Sequence, residues 1–361
     1  MTIIIVLGTR PQIIKSALIV HEALKQGLDL QILHTGQHYD YALSQVFFEE
    51  LSSLEPLVNL NVGSGSHAFQ IAEIMLRIEK YLIAQKPSVV LVPGDTNSAL
   101  AGALASVKLN MPVAHLESGA RCYDMKMSEE INRRLIDHCA RILFAPTKNC
   151  EKNLEKESVM GKIYQTGDTM YDVFRSFSKK ADKCDITDRL DLTGKEYAIL
   201  TIHRAENVDD PEKLKSLLQA VQVAEMKIIF PVHPRTKNRL KESGMSLDDA
   251  IIHTTDPVGY VEMLKLLKHA RIVLTDSGGL QKEAFWSKIP CITIRERTEW
   301  IETVEMGVNF VTDVDPTNII QMLKYIRNNY SEVKNRFGRN PFGNGKASES
   351  IVTILKNEVD G

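Results

Sequence analysis

Short runs of β-branched and aliphatic residues alternate with longer amphipathic stretches along nearly the whole chain. In the first half the apolar runs are TIIIVLG (2–8), LQILHTG (30–36), SVVLVPG (88–94), PVAHLE (112–117), ILFAPT (142–147) and KIYQTG (162–167). Continuous rather than alternating apolar runs predict strands buried on both faces, as in a parallel sheet covered by helices. Helical spacing fills the gaps, for example QIAEIMLRIEKYLIAQ (70–85) and TNSALAGALASVKL (96–109). After about residue 168 the rhythm pauses in a polar, helix-prone stretch. It restarts with YAILTIH (197–203), KIIFPVH (227–233), AIIHTTD (250–256), RIVLTDSGG (271–279), IPCITI (289–294) and GVNFVT (307–312). Two such arrays predict an α/β protein of two doubly wound, Rossmann-like domains facing each other across a cleft. The expected domains are 1–168, joined by a C-terminal helix at 346–361, and 169–345.

Composition narrows the class. The 361 residues, 43% hydrophobic and 25% charged, are enough for two ordinary cores. Basic and acidic residues number 44 and 46, a net charge of −2, so no bulk attraction to nucleic acid or to an anionic membrane is expected. Five scattered cysteines (122, 139, 150, 184, 291) show no CxxC spacing. That pattern suits reduced thiols in a cytoplasm and argues against a disulfide framework or structural zinc. No apolar run approaches the roughly 18–20 residues of a membrane span. MTIIIVLGTRP lacks the basic start of a signal peptide. A cytoplasmic enzyme is the expectation.

In open parallel sheets, ligands sit beyond the carboxyl ends of the strands. Here those ends read GTRPQIIK, HTGQHYD, GDTNS, ESGAR, HRAEN, HPR, DSGG and RERTE. One Gly or acid there is an ordinary turn; eight ends that carry charged or hydroxyl residues, most with Gly, point to a ligand. DSGGLQKEA (276–284) would offer Ser277, Gly278 and Gly279 backbone N–H groups to an anion at a helix N-terminus, with Glu283 placed for hydroxyl groups. Arg10 suits bidentate contact with phosphate, and Lys15 would add a point charge. Asp95 and Glu117 end adjacent strands. Glu129 and Glu130 open a helix for which Ser128 is the expected N-cap, so their plain reading is helix capping. Carboxylates converging in a dry cleft would instead divide acid and base roles. His203 and His233 each precede an arginine within two residues, which fits anion binding. No histidine or acid spacing suits a metal, so none is expected. GSGSHA (63–68) matches a dinucleotide pattern only formally, because a poor strand precedes it and no acid lies about 20 residues on. NAD is set aside.

Together these motifs, in order from residue 8 to about 305, resemble the non-hydrolysing UDP-N-acetylglucosamine 2-epimerases. The resemblance implies the glycosyltransferase-B fold, a homodimer, and C2 inversion of a UDP-2-acetamido sugar without a cofactor. UDP would leave C1 as C2 loses its proton, and the resulting glycal would take UDP back with reprotonation on the opposite face. By motif, Asp95, Glu117 and Glu129 match catalytic carboxylates, and His203 a histidine at the nucleotide or leaving group. Arg10, Lys15, Ser277, Gly278, Gly279 and Glu283 match the UDP-binding set. Val258 and Met263 fall where the family holds uracil.

Two departures bear on the substrate. Where family members commonly read GTRPE and TERPE, this chain reads GTRPQ and TEWIE. Gln12 thus replaces an acid, and Trp300 an arginine that contacts ligand. These forms resemble the subgroup acting on UDP-2,3-diacetamido-2,3-dideoxyglucuronate, whose C5 carboxylate a neutral Gln12 would not repel and Arg295 or Arg297 could pair. The alternative substrate is UDP-N-acetylglucosamine, and a glycosyltransferase of the same fold is the distant one. A QHxxxM pattern linked to activation from a second site is imperfect here (Gln37, His38, Ala42), so allostery is not assumed.

Overall fold

A computed structural model describes residues 2–37, 58–245, 247 and 250–360. The chain forms two compact units, Met1–Val173 with Pro341–Gly361, and Phe174–Asn340. All twelve apolar runs become strands. In the first unit these are β1 (Thr2–Leu7), β2 (Asp29–His34), β4 (Val89–Pro93), β5 (Val113–Leu116), β6 (Ile142–Ala145) and β7 (Lys162–Gln165). A short β3 (Val58–Asn59) joins them beside β2, in the segment whose Pro and Asn made it a poor strand on paper. The order is β3-β2-β1-β4-β5-β6-β7, every pairing parallel.

The second unit repeats the plan with β8 (Tyr197–Thr201), β9 (Lys227–Pro231), β10 (Ile252–Thr255), β11 (Ile272–Thr275), β12 (Cys291–Thr293) and β13 (Asn309–Val311). Its order is β10-β9-β8-β11-β12-β13, again all parallel. In each sheet the winding reverses once, between β1 and β4 and between β8 and β11. At such a switch point the flanking connections leave toward opposite faces and open a crevice at the strand ends.

Each sheet is sandwiched by helices. Ile3, Ile5, Val89 and Leu91 share one core with Ile13 and Ala17 of the helix Arg10–Lys25. The last helix, Ala347–Asp360, adds Ala347, Ile351 and Leu355, spaced four apart, to that same core. Burying such an aliphatic side chain contributes about 2 kcal/mol. In the second unit Leu200, Phe230 and Leu274 meet Leu214, Leu218 and Leu323 from flanking helices.

Candidate active site

At the first switch point β1 runs into Gly8–Thr9 and the helix Arg10–Lys25, whose first turn holds Pro11, where a missing N–H costs nothing. Gln12 is buried and ties the two strand ends together. Its Oε1 accepts the Gly8 N–H at 2.8 Å, and its Nε2 donates to the Pro93 carbonyl at 2.8 Å. The neutral amide therefore serves the backbone, since an ionised carboxylate could not donate to Pro93. Half-buried Arg10 opens the helix, and one turn on Lys15 pairs with Glu117, the residue after β5. A methyl group on Gly94 would stand 3.3 Å from Lys15 Nζ and 3.7 Å from Glu117 Oε2, so this turn runs directly beside the pair. Glu117 has φ +64°, a left-handed conformation that costs a non-glycine residue on the order of 1 kcal/mol and clusters at functional sites.

Asp95 meets Arg133 at 2.5 Å, and its carbonyl accepts from Asn132 Nδ2 at 2.9 Å. Both partners come from the helix Ser128–Cys139. The expected Ser128 cap is not there: Ser128 is the helix's first residue, Met127 stands at the N-cap position and its side chain makes no capping bond, and the Ser128 hydroxyl donates to Glu129 at 3.1 Å. Glu130 is fully buried, accepts the N–H groups of Cys122 and Tyr123 at 3.0 and 3.2 Å, and pairs with Arg133 and Arg134. Glu129 is half-buried, and among the described residues its carboxylate takes one hydrogen bond, from the Ser128 hydroxyl. Of the two neighbouring acids, Glu130 is structural and Glu129 is left available.

Behind the strand ends lies a buried network that the sequence reading missed. His115 of β5 reaches Asp137 at 2.7 Å and the Gly94 carbonyl at 2.8 Å. Asp137 also takes Arg121 at 2.7 Å and the Gly119 N–H at 3.1 Å. Burial would raise the Asp137 carboxyl, but His115 and Arg121 hold it below the ordinary carboxylate range. The available signal was a histidine inside an otherwise apolar strand, VAHL.

At the second switch point the hydroxyls of Thr201 and Thr275 meet at 2.6 Å, and Asp276 beyond them is fully buried. One oxygen of Asp276 accepts the N–H groups of His203 and Arg204, each at 2.9 Å, and Asn207 Nδ2 at 3.0 Å. The other lies 3.1 Å from His203 Nδ1. Burial would raise this carboxyl, yet the hydrogen bond and charge of His203, with the two N–H groups, carry it down to about 2. His203 keeps 38% side-chain exposure, so Nδ1 lies at ion-pair distance from the carboxylate while the ring still meets solvent. His233 is structural: its Nδ1 accepts the Arg235 N–H at 3.2 Å and caps the helix Pro234–Glu242.

Ser277 caps the helix Gly278–Trp286 through the Leu280 N–H at 3.4 Å. Gly278 and Gly279 are half-buried at its start, and Glu283 is buried one turn on. Trp300 Nε1 donates to the Gly278 carbonyl at 2.9 Å, and buried Lys282 sits 4.1 Å over the Trp300 ring. Arg295 is 2% exposed and grips Glu299 with two nitrogens at 2.9 and 3.0 Å, whereas Arg297 is exposed. Val258 and Met263, both half-buried, flank the start of a separate helix, Tyr260–His269.

Gln37 accepts the Ser98 N–H at 3.1 Å, while His38 and Ala42 of the imperfect second-site pattern lie outside the described residues. Among the described residues no group of three or more His, Cys, Asp or Glu side chains is placed to hold a metal ion, and no helix is long and apolar enough to cross a membrane.

The family model described as UDP-N-acetylglucosamine 2-epimerase matches residues 22–356. A Methanococcus maripaludis protein named UDP-N-acetylglucosamine 2-epimerase homolog is 44% identical over 99% of this chain and 100% of its own length. The UDP-2,3-diacetamido-2,3-dideoxy-D-glucuronate 2-epimerase of Pseudomonas aeruginosa is 39% identical over 98% of this chain and 99% of its own. The crystal structure of the Methanocaldococcus jannaschii UDP-GlcNAc 2-epimerase, in complex with UDP-GlcNAc and UDP, superposes with a TM-score of 0.92 at 44% identity, covering 99% of this chain and 100% of that one. With its doubly wound sheets, its clustered strand-end carboxylates and these likenesses over almost its full length, the chain belongs to the UDP-N-acetylglucosamine 2-epimerase family, a family of enzymes.

Proposed function

We propose that the protein is a non-hydrolysing epimerase that inverts C2 of a UDP-2-acetamido sugar by eliminating UDP and adding it back. The observation that carries this reading is the group of charges at the first sheet's strand ends: Glu117 with Lys15, Asp95 with Arg133, and Glu129 on the next helix. Asp95, Glu117 and Glu129 are the acid–base groups at C2. One takes the C2 proton as the C1–O bond breaks and UDP leaves with the electron pair, forming the C1=C2 glycal. UDP returns to C1 as C2 is reprotonated from the other face. His203, steadied by Asp276, meets the departing diphosphate. Arg10, Lys15, Val258, Met263, Ser277, Gly278, Gly279 and Glu283 hold UDP. The scheme is redox-neutral and calls for no resident cofactor.

Within this class the proposed substrate is UDP-2,3-diacetamido-2,3-dideoxyglucuronate. Trp300 at a position where an arginine is usual, exposed Arg297 in the same segment, and the 39% identical Pseudomonas relative support it. The second reading, UDP-N-acetylglucosamine, is favoured by the 44% identical relatives and by the engagement of Arg295 with Glu299. Incubation of the purified protein with each sugar in D2O, followed at C2 by NMR, tests both. The expected result is an epimer deuterated at C2, formed faster from the diacetamido uronate. Faster turnover of UDP-N-acetylglucosamine would reverse the substrate assignment, and free sugar or an unexchanged C2 would remove the mechanism.

The functional form is taken to be a cytoplasmic homodimer. Exposed Phe69, Leu76 and Ile83 recur every seven residues along the helix His67–Gln85, and exposed Ile131 and Leu135 add apolar surface that a second copy would cover.

A further inference from the structure

We propose that His115 is a positioning residue for the epimerisation, an imidazolium held by Asp137 that fixes the Gly94 carbonyl and with it the Gly94–Asp95 turn against Lys15 and Glu117. The proposal rests on the epimerase reading above and adds a residue to it.

The His115 ring is completely buried, with Nδ1 2.7 Å from Asp137 Oδ1 and Nε2 2.8 Å from the Gly94 carbonyl oxygen. Both partners accept. A carbonyl has no proton to give. Asp137 already receives the Gly119 N–H at 3.1 Å and the Arg121 guanidinium at 2.7 Å on its other oxygen, as an ionised carboxylate does. A neutral imidazole owns one N–H and one lone pair, so it would press that lone pair against an oxygen in a buried site. Two N–H groups satisfy both contacts, and a ring with two N–H groups is the imidazolium. Charge closes locally, because His115 and Arg121 face Asp137 and Glu157, with Arg121 and Glu157 at 2.8 Å.

The turn itself shows what this arrangement serves. Three successive carbonyls are held by side chains from three different elements: Pro93 by Gln12 at 2.8 Å, Gly94 by His115 at 2.8 Å, and Asp95 by Asn132 at 2.9 Å. Gly94, at φ +70°, has no side chain with which to anchor itself. His115 is the charged member of the three, and it sits two residues before Glu117 in the same segment. It therefore registers Asp95 and Glu117 to one another, and a misplacement of about 1 Å in such a site costs on the order of 10²-fold in rate.

The test combines His115→Gln and Asp137→Asn with a spectrum of the parent protein. In His115→Gln, kcat for C2 hydrogen–deuterium exchange is expected to fall about 10²-fold, while KM and the Kd for UDP stay within about threefold. Asp137→Asn should follow the same split. In the ¹⁵N spectrum of the parent, both ring nitrogens of the signal lost in His115→Gln are expected to carry a proton. A folded His115→Gln protein that exchanges within about threefold of the parent overturns the proposal, as does parallel loss of kcat and UDP affinity. If His115→Gln does not fold, the parent spectrum, assigned through Asp137→Asn, decides: a bare ring nitrogen overturns the proposal. A parent that binds UDP yet exchanges no C2 hydrogen overturns the epimerase reading itself, an outcome distinct from any variant's failure.

Discussion

Glu129 and Glu130 stand side by side at the start of one helix, yet one is half-buried with a single hydroxyl partner and the other is sealed among two N–H groups and two arginines. Glu129→Gln is expected to slow C2 exchange by about 10²–10⁴-fold with the thermal midpoint unchanged. Glu130→Gln leaves buried Arg133 and half-buried Arg134 short of charge and should destabilise the fold by roughly 3–5 kcal/mol in a denaturant titration. Equal effects of the two on stability would contradict the division. Asp276 offers a pH test. Its folded pKa, about 2, lies below the ordinary 3.8. The ionised form thus contributes stability that is present above about pH 4 and lost as pH falls toward 2. Asp276→Asn should lower the unfolding midpoint at neutral pH, and the gap from the parent should close through that acid window; a gap that persists to about pH 2 would refute the assignment.

At the scale of elements, the strands were legible because contiguous apolar runs leave little choice but a covered parallel sheet, and the strand ends followed from that. β3 was not, because two residues held by backbone pairing to β2 carry no side-chain pattern. Ser128 obeyed the usual capping signal in sequence but spent its hydroxyl on Glu129. Gln12 was legible as a departure, though not as a backbone clamp. The buried network was hidden for a different reason: His115 and Asp137 are 22 residues apart, and Asn207 and Asp276 are 69 apart, so each reads as an isolated polar residue until the sheet brings it to its partner. The C-terminal helix has an equally local test. Leu355→Ala empties part of the core shared with the Arg10–Lys25 helix and should cost about 2–5 kcal/mol. A loss below about 0.5 kcal/mol, the level of a surface change, would mean that this helix contributes little to the unit.

For the whole molecule, a net charge of −2 leaves assembly to shape and apolar surface. Leu76→Lys places a charge in the middle of the Phe69–Leu76–Ile83 stripe and is expected to convert a dimer to a monomer in sedimentation velocity. A parent that sediments as a monomer would refute the assembly. The first unit draws its closing helix from beyond Pro341, so of the two units the one that comes first in chain order is completed last. During vectorial synthesis the contiguous second unit can finish on the ribosome while the first still exposes the hydrophobic seat of Ile351 and Leu355. A message truncated shortly after codon 340 would therefore yield a well-formed second unit tethered to an aggregation-prone first one.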